Sequence, residues 1–364
     1  MTQSKWQSLL VPVLSVIVGL LFGAVIMLLF GYNPVDGYQA LLEGALGTPF
    51  NIGQTLRAAT PLIFTGLGFA VAYTAGFFNI GLAGQALFGW LVSVWVGLAM
   101  LDSPKWLVLP LAILAGALAG ALWAAIPGIL KAYFDTSEVI VTIMLNYVAV
   151  YIADYLIRNV LTDRADATPF VGANASLRTE WLTELTNGST MHAGFFLALL
   201  FAVIAYIFIN RTTFGFELKA VGLNKDAAEY AGMNVKRNII IAMVISGALA
   251  GLGGVMNGLG EFQNIFLTNG VAPAIGFNGM AVALLGLLNP FGVVLAAILF
   301  GGLMTGGNIM PLTAGIPSEI VDIVIAAIIF FVGANYIITF FLNRRKVRSA
   351  VDNEDVIQQG GQEG

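Results

Sequence analysis

From Leu9 to Phe30 the chain runs without a charged residue. That run matches the roughly 20-residue apolar helix that crosses about 30 Å of hydrocarbon. Comparable runs recur along the whole sequence, at 8–31, 60–78, 80–101, 106–130, 138–158, 192–210, 238–260, 276–288, 291–307 and 318–343. Only 10% of the residues are charged and 58% are hydrophobic, whereas soluble domains carry about 25% charged residues. Such side chains have to face lipid or each other. The expected fold is an all-α integral membrane protein of about ten transmembrane helices. The first run is too long for a signal h-region and has no small-x-small cleavage site, so it reads as a retained span.

The distribution of Lys and Arg sets an expected orientation. With the N-terminus inside, Lys5, Lys131, Arg211, Lys219, Lys225, Lys236, Arg237, Arg344, Arg345, Lys346 and Arg348 are cytoplasmic, and so are both termini. Arg57, Lys105, Arg158, Arg164 and Arg178 then face outward. The expected organisation is a permease domain over 1–343, with an outer loop at 159–191 and an inner loop at 211–237. A polar tail at 344–364 has the composition of a disordered segment. Residues 32–59 are expected to lie partly along the membrane surface.

Several chemistries are excluded early. There are no cysteines and one histidine, His192, so thiol catalysis, disulfides and a His-based metal cluster are not expected. No G-x-x-x-x-G-K-[ST] loop occurs, and no basic patch of the kind that binds nucleic acid. Proton-driven carriers keep Asp, Glu or His within the bundle. Here Asp154, Arg158, Glu261, Glu319 and Asp322 all fall near the outer ends of spans. His192 opens a span and is expected at the solvated interface. Glu138 follows Thr136-Ser137, where helix capping accounts for it.

What the spans do contain is neutral and polar. Asn79, Gln85, Asn146, Asn257, Asn278 and Asn308, with Thr142, Ser246 and Thr305, are costly to leave unpaired in hydrocarbon. Each alone is explained as well by interhelical hydrogen bonding as by lining a passage; the set suits a passage for an uncharged polar solute. Asn79, Gln85, Asn146 and Asn278 are the candidate pathway residues. The stretch from Asn79 to Gln85 with its glycines, and Asn289-Pro290 between two short runs, look like breaks in discontinuous helices. Gly116 and Gly120, Gly247 and Gly251, Gly254 and Gly258, and Gly302 and Gly306 are spaced for close helix packing.

The inner loop carries its own signal. Asn224 is a good N-cap, 225–231 a short helix and Gly232 a C-terminal stop. A helix this short needs something to dock against.

Four segments together resemble the permease subunits of ATP-binding-cassette importers for branched-chain amino acids, ribose-type sugars and nucleosides. They are Asn79-Ile-Gly-Leu-Ala-Gly-Gln85, Ser137-Glu-Val-Ile-Val-Thr-Ile-Met-Leu-Asn-Tyr147, Ala220-Val-Gly-Leu-Asn-Lys-Asp-Ala-Ala-Glu-Tyr-Ala-Gly232 and Gly276-Phe-Asn-Gly-Met-Ala-Val-Ala-Leu-Leu-Gly286. The second is most like the nucleoside branch. Ala83 stands where many members carry Glu, and Asn278 where many carry Asp, so a carboxylate role does not carry over to either.

The resemblance implies inverted halves and a cytoplasmic ATP-binding subunit that supplies ATP and Mg, this chain holding no cofactor. It also implies a second, different permease subunit and an extracellular solute-binding protein. Gly222, Asn224, Ala227, Ala228, Glu229 and Gly232 become the residues expected to couple to the ATPase. The expected function is nucleoside import across the cell membrane, without bond chemistry in this chain. Ribose-type sugar or branched-chain amino acid import is the alternative, and a secondary carrier the more distant one.

Overall fold

The computed structural model describes residues 5–333. The end of the span expected at 318–343 and the tail at 344–364 lie outside the described residues. Among those described, all regular structure is helical apart from one isolated β-bridge.

Two units are distinct. The first pairs α1 (Lys5–Leu29) with a helix at Glu319–Gly333, numbered α14 in chain order. They meet where Gly19 lets the Ile328 side chain approach its backbone.

The second unit, 35–318, carries the rest. It opens with α2 (Pro34–Leu46) and α3 (Pro49–Thr74), and Thr48 caps α3 by accepting from Asn51 N at 3.2 Å. Residues 32–59 are therefore largely helical. The span expected from residue 60 begins at Pro49, because the polar first turns of α3 find partners inside the protein. Thr55 Oγ1 donates to Ala45 O at 2.8 Å, and Arg57 pairs with Glu261 at 2.7 Å.

The central helices are α4 (Leu82–Ala99), α5 (Lys105–Phe134), α6 (Glu138–Leu156) and, beyond α7 (Glu180–Leu185), α8 (Gly194–Arg211). The short α9 (Thr213–Leu223) and α10 (Lys225–Tyr230) lead into α11 (Val235–Val255). The chain then forms α12 (Ile275–Leu285) and α13 (Pro290–Thr313). Among the described residues, eight helices are long and apolar enough to cross a membrane. The helix α12 is too short, which fits the break expected at Asn289-Pro290. There Leu287 and Leu288 take positive φ, and the Asn289 side chain caps α13.

Small-residue spacing decides the packing core. A Cβ on Gly120 would overlap Gly247 O, and one on Gly251 would lie 2.6 Å from Gly116 O, so α5 and α11 touch backbone to backbone. On its other side α11 meets α4 as closely, Gly254 against Ala86 O and Gly89 against Gly251 O. Close approach is what lets membrane helices gain dispersion contacts that lipid does not already supply.

Two helices end in a π turn, α6 at Ile157–Leu161 and α11 at Met256–Glu261. Nothing in the sequence announced either. Past these turns an extended strap, 166–177, runs antiparallel to 259–267. Thr168 N donates to Ile265 O at 2.8 Å, Val171 N to Gln263 O at 2.7 Å and Leu177 N to Leu259 O at 2.9 Å. Trp90 Nε1 donates to Asn264 O at 2.7 Å and fixes α4 to the same ribbon.

Candidate functional site

The stretch between α3 and α4 is a re-entrant break. Gly76, at φ +84°, reverses the chain, and Phe78 runs back along α3 to pack edge-on against Phe69 at 5.1 Å. Asn79 then uses all its polar capacity at once. Its Nδ2 donates to Gln85 Oε1 at 3.0 Å and to Ser246 Oγ of α11 at 2.9 Å. Its Oδ1 accepts from Gly81 N at 2.9 Å and Gln85 Nε2 at 3.2 Å.

Asn146 of α6 supplies what the N-terminus of α4 lacks. Gly81, at the N-cap, has no side chain to satisfy the free N–H groups of the first turn. Asn146 Oδ1 accepts from Gly84 N at 2.8 Å, and its Nδ2 donates to Ile80 O at 2.9 Å. Of the four candidate pathway residues, three thus form one buried neutral cluster at the break: Asn79 and Gln85 bond each other, and Asn146 bonds the backbone between them. Asn278 is not in it; it is partly exposed on α12, and its side chain bonds no described group.

At the end bearing α9 and α10, the helix expected at 225–231 spans Lys225–Tyr230. Asn224 Oδ1 accepts from Ala227 N at 2.9 Å, and Gly232, at φ +82°, ends the helix. Ala228 is buried against this chain's own underside, so it seats α10 and is not part of an outward docking face. Ala227, Glu229 and Tyr230 are exposed, with Leu223 beside them.

Two contacts tie this corner to the bundle. Gly222 lies so close to the end of α3 that a Cβ on it would overlap Thr74 O and sit 3.0 Å from Gly76 N. Lys225 pairs at 3.7 Å with Asp135, which also pairs at 3.1 Å with Lys131. The Lys131 ammonium holds the Asp135 carboxyl below the usual carboxylate range, and Lys225 adds to this. Glu138, at the start of α6, takes Lys131 at 3.3 Å, while Ser137 caps the helix.

The strap end is charged. Arg57 pairs with Glu261, and Arg178 donates from Nε to Gly260 O at 2.9 Å and from its other arm to Glu261 O. Burial lowers the Arg178 pKa, and the neighbouring Arg57 charge lowers it further. His192 differs from its expected place at the solvated interface. It is 1% exposed, just ahead of α8, and neither ring nitrogen bonds a described group. Gly194 and Gly260 leave the space the imidazole fills.

Burial first, then the Arg57 and Arg178 charges, push the His192 pKa down to about 3. The unfolded chain, with an ordinary histidine pKa near 6.5, binds the extra proton between those values. Stability is therefore fully present at neutral pH and falls as pH drops below about 6.5, by on the order of a few kcal/mol by pH 4. Thermal unfolding in detergent should show that acid limb, and His192→Leu should flatten it. An unchanged limb in the variant would separate the effect from this residue.

The family model described as the permease component of the branched-chain amino acid transport system matches residues 51–333. The chain belongs to that family. It is therefore a multi-pass membrane permease, one component of a larger transport system.

Among curated proteins, this permease is 51% identical to the guanosine ABC transporter permease protein NupP of Bacillus subtilis, over 94% of this chain and 98% of the relative. It is 48% identical to the nucleoside ABC transporter permease protein NupB of Lactococcus lactis, over 95% and 96%. The glucose ABC transporter permease protein TsgB13 of Haloferax volcanii is 33% identical over 96% and 93%. No solved structure matches the permease.

Sequence reasoning singled out the amides but not the contact of Gly222 with Thr74. The available signal was a glycine two residues before a cap, and its partner is far away in the chain.

Proposed function

We propose that this chain is the membrane-spanning subunit of an ATP-driven importer for nucleosides. The observation that carries the reading is the contact of Gly222 with the end of α3. On an exposed corner the short capped helix α10 follows directly on α9, whose Gly222 abuts the segment that leads into a buried, uncharged break. Force applied at α10 by a cytoplasmic ATP-binding subunit, which holds ATP and Mg, then reaches Asn79 through a few residues of backbone. The pathway role of Asn79, Gln85 and Asn146 requires that break to rearrange during transport, while Asn278 meets solute without it. The nucleoside assignment draws on the names of the two relatives that share about half of their residues with this chain.

The complete importer adds a second, different permease subunit and an extracellular solute-binding protein that selects the cargo, so that the membrane part need bind only weakly. Both termini lie in the cytoplasm. Chemistry supports the same solute: a nucleoside is uncharged, and no carboxylate, imidazole or basic side chain lies at mid-depth among the described spans. The test is uptake of labelled guanosine and uridine in cells or vesicles with ATP held constant. Uptake should survive collapse of the proton gradient and vanish when the ATPase is deleted. Uptake that follows the proton or sodium gradient without the ATPase refutes ATP coupling, and ATP-driven uptake of ribose, glucose or leucine in place of nucleosides refutes the solute.

A further inference from the structure

One face of α6 does not suit lipid. Tyr147, Tyr151 and Tyr155 follow each other at four-residue spacing and are 55%, 67% and 63% exposed. At 1.5 Å per residue, Tyr147 and Tyr151 lie about 13.5 and 19.5 Å along the helix from Glu138. Glu138 is tied to Lys131 at the helix's charged end. In a hydrocarbon layer about 30 Å thick, both rings fall within about 5 Å of the midplane.

Tyrosine belongs at the edges of a bilayer, where its hydroxyl reaches water. At mid-depth against lipid, each phenol would be left without a partner. Neither phenol bonds a described protein group. The opposite face of α6, through Thr142, Asn146, Ala149 and Ala153, is the one buried in the chain. At the far end of the strip an open pocket is lined by Asp154, Tyr155, Arg158, Leu267 and Asn269. One oxygen of Asp154 is occupied, accepting from Thr268 N at 2.8 Å and Thr268 Oγ1 at 3.0 Å. The other is not hydrogen-bonded.

We propose that the Tyr147–Tyr151–Tyr155 face of α6 is the solute-contacting strip of the translocation pathway, with Asp154 as its polar mouth. This rests on the nucleoside reading above and adds to it the residues that meet the base. Rings one helical turn apart present stacking surfaces to any nucleobase, because every base has a π face. A purine or pyrimidine passes from ring to ring while the phenols and the free Asp154 oxygen bond its polar edge. Stacking tolerates all bases, so the strip favours nucleosides over sugars without choosing strongly among them.

The native chain has no cysteine, which makes accessibility direct to measure. In proteoliposomes holding the intact importer, Tyr147→Cys and Tyr151→Cys should react with a hydrophilic methanethiosulfonate during turnover, and excess guanosine should protect them. Leu118→Cys, on an exposed mid-span face of α5, should stay unlabelled. Tyr151→Leu should lower guanosine uptake about tenfold at unchanged expression and assembly, in line with the loss of one stacking contact, and Tyr151→Phe should keep most of it. A wild-type importer that moves no nucleoside overturns the functional reading and this inference with it. Wild-type nucleoside uptake with both cysteines as silent as Leu118→Cys, the result if lipid or a second permease subunit covers the face, overturns this inference alone. So does nucleoside uptake that Tyr151→Leu leaves unchanged.

Discussion

Gly254→Val is expected to leave almost no folded protein in the membrane. The residue lies where α11 crosses α4, and a Cβ there would overlap the carbonyl oxygen of Ala86 and lie 2.8 Å from Trp90 N. Overpacking a core typically costs about 1–3 kcal/mol when side chains can shift aside. Here the obstruction is helix backbone, which cannot rotate away, and the next contacts along the same seam are equally tight. Gly89 meets Gly251, and Gly251 meets Gly116, so moving α11 away from α4 drives it toward α5. The cost should exceed that range. Size-exclusion chromatography of the detergent extract would show it as loss of the monodisperse peak. Gly302→Ala, whose nearest neighbours are 3.6 Å from the added carbon, serves as the tolerated control. A normal Gly254→Val peak would mean that the seam is looser than described.

Gly222→Val should give the opposite phenotype, a protein that folds and assembles but does not transport. Gly222 is the penultimate residue of α9, two before the Asn224 N-cap of α10, and its missing side chain lets the corner touch Thr74 and Gly76. Valine would displace that corner from the end of α3 without touching the α4–α5–α11 seam. ATP hydrolysis by the partner subunit should continue while uptake falls by at least about tenfold, a barrier change of about 1.4 kcal/mol. Measuring hydrolysis and uptake on one preparation decides the matter. Equal loss of both would point to failed docking of the ATPase, and normal uptake would sever this contact from coupling.

The sequence revealed most where a residue's chemistry is at odds with its surroundings. Asn79, Gln85 and the nearby glycines are costly in a continuous apolar helix, so a break there was legible, as was the one at Asn289-Pro290. The identity of the partner was not. Asn79 bonds Ser246 across 167 residues of chain, and no local pattern specifies such a pairing. The same limit hid the true start of α3. Asn51, Gln54 and Arg57 look like loop until Asn51 donates to Glu43 O, Gln54 accepts from Thr190 and Arg57 pairs with Glu261. His192 looked interfacial because histidine at the start of a span usually meets water. Gly194, two residues on, and the distant Gly260 together make the cavity that buries it. The short helix α10 was legible from Asn224 and Gly232, whereas the inward turn of Ala228 depends on tertiary packing. The tyrosine spacing on α6 was present in the sequence, but its meaning needed the helix's buried side to be known.

The neutral network at the break has an electrical consequence. A membrane voltage does work only on charge that moves across it, about 2.3 kcal/mol per elementary charge per 100 mV. Asn79, Gln85, Asn146 and Ser246 carry none, so rearranging them displaces no gating charge. An uncharged cargo adds none either. On the proposed function, in which this break rearranges during transport, the stroke is insulated from the membrane voltage, and a starved cell with a collapsed potential but residual ATP would still be able to salvage solute from outside.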